Sequence, residues 1–322
     1  MLRYSAILPA LTLLTLGCTS SDDTNSSSNN NDAGVPAAPT YRFEPLEVPG
    51  AATQSVPLVM SEGGLVGGWY DDANGKFHGF IHRDGEFTTI DAPDAADTFV
   101  VSVFDDGRFQ GTLRDASGAV HGYLFANDTW TLLDVPEAGV TTDIPFEVGT
   151  GLGTAAFVMN TAGVVVGEYA TDDGIGHGWI HDGSVYTTID HPDASGSEGP
   201  NTMLFAAADD GRVVGRVTRT GAPLHKGFLL ENGELTDIMH PDQGGFFGTQ
   251  SNGITESGII TGVYSDADSK LHGFILENGV WTTVDYPGAA HSEIHYMDSA
   301  GNFTGGWFDE DFHLHGFVAF RE

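Results

Sequence analysis

The stretch 265–290, SDADSKLHGFILENGVWTTVDYPGAA, holds in one copy the pattern from which the fold is read. It runs from a polar turn into a His-Gly-aromatic element, through a second turn (Glu277-Asn278-Gly279), and into a Thr-rich strand ending in Asp-x-Pro. The His-Gly-aromatic element recurs as HGF at 78–80, HGY at 121–123, HGW at 177–179, HKGF at 225–228, HGF at 272–274 and HGF at 315–317. The mean spacing of about 47 residues lies near the period of propeller blades. Upstream of each copy stands a glycine pair four residues apart: Gly63/Gly67, Gly107/Gly111, Gly163/Gly167, Gly211/Gly215, Gly258/Gly262 and Gly301/Gly305. From the second glycine to the glycine of the aromatic element there are 11 or 12 residues in all six copies. In the second copy, FVVSVF, RFQGTL, VHGYLF and TWTLLDV read as four strands, and connections as short as DDG, RDASGA and AND permit only antiparallel hairpins. A four-stranded meander repeated in this way is a propeller blade.

The chain ends set the expected count. The last copy stops at HGFVAFRE, without its Thr-rich strand, while YRFEPLEVPGAA (41–52) matches VWTTVDYPGAA (280–290). The N-terminal strand is therefore expected to complete the last blade and leave no open edge. This reads as an all-β protein, a single six-bladed β-propeller of four-stranded antiparallel blades over residues 41–322, with a stacked β-solenoid as the alternative. The Asn/Asp-x-x-Gly turn (MNTAG, 159–163), the VVG strand (165–167), the His-Gly-aromatic element and the TTID strand together resemble the bacterial extracellular HAF-type repeats. The resemblance covers about residues 41–320 and implies secretion and a repeat fold, with no established activity to carry over. The fourth copy departs from it, because Lys226 separates His225 from Gly227.

With 45 acidic against 12 basic residues and a net charge of −33, the chain is unsuited to nucleic acid, whose phosphates it would repel. Residues 1–18 read as an export signal: Arg3, then a short apolar run, ending at Leu16-Gly17-Cys18. That ending resembles a bacterial lipobox, which implies lipidation of Cys18, the only cysteine; ordinary signal cleavage nearby is the alternative. Residues 19–40 are a polar tract too poor in apolar side chains to bury a core, hence a tether. The expected localisation is exported and lipid-anchored, at the outer membrane or cell surface, and the expected state is a monomer.

A reactive group is needed once, so six copies of the His favour scaffolding. The His is expected to pack at the blade interface and bond a backbone carbonyl or a Thr. Gly262 and Gly273 are expected to face each other and leave a depression for an aromatic ring of a neighbouring blade. Loops between second and third strands, together with the blade-to-blade connections, should form one acidic face. Asp71, Asp72, Asn74, Asp266, Asp268, Asp309 and Asp311 there have the hard oxygen ligands that Ca2+ takes, although the same residues also simply form turns. His191, His240, His291 and His313 lie outside the repeat pattern and are binding candidates on or near that face. So are Asp143 and Glu147, in the long connection 136–156. No nucleophile motif occurs. The reading favours a non-enzymatic envelope module that binds a protein or glycan. The alternative is a metal-assisted hydrolase or lyase with a cation in an axial channel.

Overall fold

Runs of four to nine residues rich in Val, Ile, Phe and Thr, punctuated by Gly, Asn and Asp, form 24 strands and no helix among the described residues. The structure is a computed structural model and describes residues 39–139, 153–194, 202–221, 223–310 and 313–322. The strands group into antiparallel meanders. Unit 1 comprises Ser55–Met60, Val66–Asp71, Phe77–Arg83 and Glu86–Ile90, and unit 2 comprises Ala95–Val103, Phe109–Asp115, Val120–Ala126 and Thr129–Leu133. Unit 3 comprises Gly153–Met159, Val165–Ala170, Gly176–His181 and Tyr186–Ile189, and unit 4 comprises Thr202–Ala207, Val213–Thr218, His225–Glu231 and Glu234–Ile238. Unit 5 comprises Thr249–Ile254, Ile260–Ser265, Leu271–Glu277 and Val280–Val284. Unit 6 comprises His291–Met297, Phe303–Phe308 and Leu314–Arg321, and its fourth strand is Tyr41–Leu46, paired antiparallel with Tyr41 opposite Arg321.

Six separate sheets were expected, and the hydrogen bonding corrects this: four of the sheets are four-stranded and one is eight-stranded. The eight-stranded sheet is units 2 and 3 joined at one parallel pair, Gly153 with Val120. The cause is local. Gly153 sits at φ +123°, and a Cβ there would lie 2.1 Å from the Val120 carbonyl oxygen, so only glycine lets the two backbones meet.

The second-strand glycines do their work within a unit, whereas those of the His-Gly-aromatic elements meet the next unit, where a Cβ on Gly79 would lie 2.7 Å from Val100 and one on Gly273 2.8 Å from Ile294. The expected facing of Gly262 and Gly273 is corrected by one residue: Gly262 lies opposite Phe274, and Gly273 opposite Val263. Gly111 likewise faces Tyr123, Gly167 Trp179, Gly215 Phe228 and Gly305 Phe317. In unit 1, Gly68 rather than Gly67 faces Phe80. The ring lies over its own cross-strand glycine, where a Cβ on Gly262 would come within 2.8 Å of Phe274 and 2.0 Å of the Gln250 carbonyl oxygen. Phe80, Tyr123, Trp179, Phe228 and Phe274 are thereby sealed from solvent. Each contributes roughly 2–3 kcal/mol of apolar burial.

Apolar cores form where neighbouring units meet: Val59 and Leu65 of unit 1 pack with Val100, Val103 and Leu113 of unit 2. A second repeated device turns the chain from each fourth strand into the next unit. The backbone N–H before proline donates to a buried Ser or Thr hydroxyl at the start of the following first strand. The pairs are Val48 to Ser55 (3.0 Å), Ala92 to Thr98 (3.0 Å), Val135 to Thr154 (2.9 Å), His191 to Thr202 (3.1 Å), His240 to Thr249 (3.1 Å) and Tyr286 to Ser292 (2.9 Å). Unit 6 also touches unit 1. The Thr304 hydroxyl donates to the Leu58 carbonyl (3.0 Å), and the Ser299 N–H to Glu62 (3.0 Å).

Candidate functional site

The hairpins between second and third strands do lie beside the connections between units. Ala52 N–H donates to the Asp71 carbonyl (2.8 Å), Gly139 to Ala170 (2.7 Å), Gly244 to Ser265 (2.7 Å) and Ala290 to Phe308 (2.9 Å). At this end four of the six recurring His find a partner that was not expected, while His315 meets Asp309 of its own second-to-third hairpin (3.2 Å). His78 Nδ1 meets Asp91 (2.8 Å), His121 Asp134 (3.0 Å), His177 Asp190 (2.8 Å) and His272 Asp285 (2.7 Å). The carboxylate belongs to the Asp-x-Pro end of the same unit, which corrects the expected carbonyl or Thr partner for these four; His225 does meet a Thr of the adjacent strand, Thr218 (3.3 Å). Thr89, Thr188 and Thr283 instead bond the hydroxyls of Tyr70, Tyr169 and Tyr264, and those rings stack on His78, His177 and His272. The hydrogen bond with Asp134 holds the His121 imidazole above its ordinary pKa. A ring fixed by a carboxylate on one side and an aromatic face on the other is a structural clamp.

The fourth unit breaks the pattern because of its inserted Lys226. His225 turns inward, 7% exposed, edge-on to Phe247, and burial drives its pKa well down. Lys226 takes over the clamp, with its ammonium against Asp237 (2.9 Å) and Asp193.

Of the off-pattern histidines, His191 and His240 are not on the surface. They are 5% and 3% exposed and occupy the residue before proline, held elsewhere by Val48, Ala92, Val135 and Tyr286. His240 stacks on Tyr264 at 3.6 Å and meets Trp281 edge-on at 4.8 Å, as an apolar side chain would. Each ring turns Nδ1 back to accept a backbone N–H two residues on, from Asp193 (3.1 Å) and Asp242 (3.2 Å). Burial lowers the pKa of both. His291 is half-buried and accepts the Leu271 N–H (2.9 Å), while His313 is exposed against Asp309 (3.1 Å). Asp143, Glu147 and Asp311 lie outside the described residues.

The candidate calcium ligands are largely committed to backbone. Asp72 accepts the N–H groups of Asn74 (2.8 Å) and Lys76 (2.9 Å), and the Asn74 amide donates back to it (3.1 Å). Asp266 accepts from Asp268 and Lys270 (both 2.9 Å), and Asp309 from His313 (2.9 Å). These backbone bonds, with Lys76 foremost, hold the Asp72 carboxyl down to about 2 and depress Asp309 likewise. Asp71 is buried, bound to the Thr53 and Gln54 N–H groups (3.0 and 2.7 Å). Asp268 contributes its backbone N–H to this turn. Among the described residues, no three His, Cys, Asp or Glu side chains are grouped as a metal ion requires.

The opposite end carries a recess the sequence reading passed over. A pocket of about 360 Å3 lies between the two hairpins of unit 2, lined by Asp106, Gly107, Arg108, Phe125, Asn127 and Asp128. Asp106 accepts the Arg108 backbone N–H (3.1 Å) and Nε–H (2.8 Å), which lowers its pKa, and the Arg108 guanidinium lies 4.7 Å over the Phe104 ring. Phe125 stacks on Phe109 at 4.5 Å. Asn127 and Asp128 hold φ of +52° and +58°, the two-residue hairpin turn that suits Asn and Asp. Donors, acceptors and an apolar ring thus line one cavity. The tetrapeptide Asp-Asp-Gly-Arg at 105–108 was the available signal, for it recurs only at 209–212.

No protein-family model matches this chain, and no curated protein matches it. Solved structures do. A variant of the Aleuria aurantia lectin in complex with Fucα1-6GlcNAc is 11% identical, with a TM-score of 0.50 over 82% of this chain and 93% of that one. AofleA of Arthrobotrys oligospora is 10% identical, with a TM-score of 0.52 over 87% and 86%. A second structure of the Aleuria aurantia lectin, described as a six-bladed β-propeller, has a TM-score of 0.43 at 10% identity over 87% and 91%. At such identities the likeness is one of fold: the chain is an all-β propeller arrangement of four-stranded blades.

Proposed function

We propose that this chain is a non-enzymatic carbohydrate-binding propeller held at the cell envelope. The pocket of unit 2 carries the reading: a recess of about 360 Å3 whose lining joins a phenylalanine ring to a guanidinium, an amide and two carboxylates. Sugars offer one apolar face and a rim of hydroxyls, and such a lining answers both. The fold shared with a lectin that holds a fucosylated disaccharide supports it.

The finer architecture belongs to the same proposal. Six meanders, the contacts of unit 6 with unit 1 and the pairing of Tyr41–Leu46 with Leu314–Arg321 support a closed six-bladed ring, with units 2 and 3 as two blades joined by one bridge. The Leu16-Gly17-Cys18 ending and the polar tract after it support an exported lipoprotein, and the six His-Gly-aromatic copies support a HAF-type repeat.

Two measurements test the reading. The full chain is passed over immobilised neutral and acidic glycans, and retention on at least one class that free sugar reverses is expected. Retention on none would overturn the binding function. Separately, fatty-acid incorporation in a Gram-negative host is expected in the native chain and absent in Cys18→Ser; equal labelling of both would remove the anchor.

A further inference from the structure

Asp-Asp-Gly-Arg occurs twice, and the two copies fold alike at first. In unit 4 the Arg212 N–H and Nε–H bond Asp210 at 3.1 and 2.8 Å, the same distances as in unit 2. Beyond that they part. Arg212 reaches into unit 5, where its Nη2 donates to the Glu256 carbonyl (2.9 Å). Arg108 instead lies over Phe104, a position that unit 4 fills with Ala208. The ring keeps Arg108 beside its own unit's second hairpin, whereas Arg212 has no such ring beneath it and is drawn to unit 5. That hairpin differs as well: Phe125, Asn127 and Asp128 in unit 2 become Leu230, Asn232 and Gly233 in unit 4. One frame thus carries an inter-unit tie in unit 4 and an open recess in unit 2.

Resting on the carbohydrate reading, we infer that the recess of unit 2 is a saccharide site that takes a neutral sugar, with Arg108 as its donor and Asp128 as its acceptor. The charge of Arg108 is already matched by Asp106, so a second carboxylate, Asp128, leaves the pocket net negative in a chain of net charge −33. A uronic acid or sulfated sugar would bring like charge into it. A neutral hexose can place adjacent hydroxyls on Arg108 and Asp128 and its C–H face against Phe125. Asn127 and Asp128 are held by their turn before any ligand arrives, which limits the entropy lost on binding.

The test is titration of the full chain with methyl glycosides of neutral hexoses and 6-deoxyhexoses, and with glucuronate, followed by saturation-transfer NMR. Arg108→Gln and Asp128→Asn, the latter keeping a residue that tolerates positive φ, are each expected to weaken neutral-sugar binding about tenfold or more. Arg212→Gln should bind as the native chain does. Phe104→Ala should weaken binding severalfold by releasing Arg108. Native affinity in both Arg108→Gln and Asp128→Asn would overturn this site while leaving carbohydrate binding standing. Tighter binding of glucuronate than of its neutral counterpart would overturn the ligand class. A native chain that binds none of the sugars would overturn the carbohydrate reading itself.

Discussion

Thr98→Val tests the repeated turn between units most directly. Thr98 is wholly buried, and its hydroxyl accepts the Ala92 N–H at 3.0 Å. Valine keeps the side-chain shape and removes that oxygen, so no cavity opens. Ala92 is itself 5% exposed, and its N–H loses its partner without gaining water. An orphaned buried donor costs about 1–3 kcal/mol. Unfolding entropy near 2.1 cal/mol/K per residue amounts to about 0.6 kcal/mol per degree for residues 40–322. The expected fall in the thermal midpoint is therefore about 2–5 °C, read by calorimetry or near-UV circular dichroism on the full chain. Thr98→Ser keeps the oxygen and should stay within about 1–2 °C of the native chain. A Val variant as stable as the native chain, or a Ser variant as damaged as Val, would refute the role given to the hydroxyl.

Three further outcomes are expected. Burial depresses the pKa of His240, so its neutral form stabilises the fold above an unfolded pKa of about 6.5, and that contribution is lost as pH falls below it. His240→Tyr, copying Tyr286 at the equivalent place, should lose less midpoint between pH 7 and pH 5 than the native chain; an equal loss would sink the assignment. Gly262→Ala puts a Cβ 2.0 Å from the Gln250 carbonyl oxygen and 2.8 Å from the Phe274 ring, and should cost about 3 kcal/mol or more. A midpoint within a degree of native would show that the two strands can part without penalty. Graded Ca2+ at constant ionic strength should give no saturable rise in midpoint, because Asp72, Asp266 and Asp309 are occupied by backbone N–H groups. A saturable rise would show that a cation can compete for them.

Much of the architecture was open to reading from the chain because it repeats. Period-2 alternation and Gly/Asn/Asp turns mark strands locally, and six copies of the mark average out the ambiguity of any one. The likeness of residues 41–52 to 280–290 already pointed to the pairing of the first strand with the last. The candidate site was less legible. His191 and His240 are polar residues off the pattern, yet each fills a slot held elsewhere by Val48, Ala92 and Val135. An imidazole in sequence signals chemistry, where this fold uses it as a flat, buryable ring. Arg108 escaped notice because its sequence neighbours duplicate those of Arg212, and only the ring of Phe104 beneath it separates their fates.

By itself, the sequence determined the strands, the turns, the repeat and the residues that recur at each equivalent place. These depend on backbone preferences and spacing within some ten to fifty residues, which is the range over which a linear pattern carries information. Only the tertiary structure decided which partner each recurring side chain meets. His272 finds Asp285 rather than a Thr, Gly262 lies under Phe274 rather than facing Gly273, and Gly153 reaches Val120 to join two units. A one-residue register and an approach of two backbones too close to admit a Cβ set those contacts. Both are products of packing across strands and units, which no local pattern encodes.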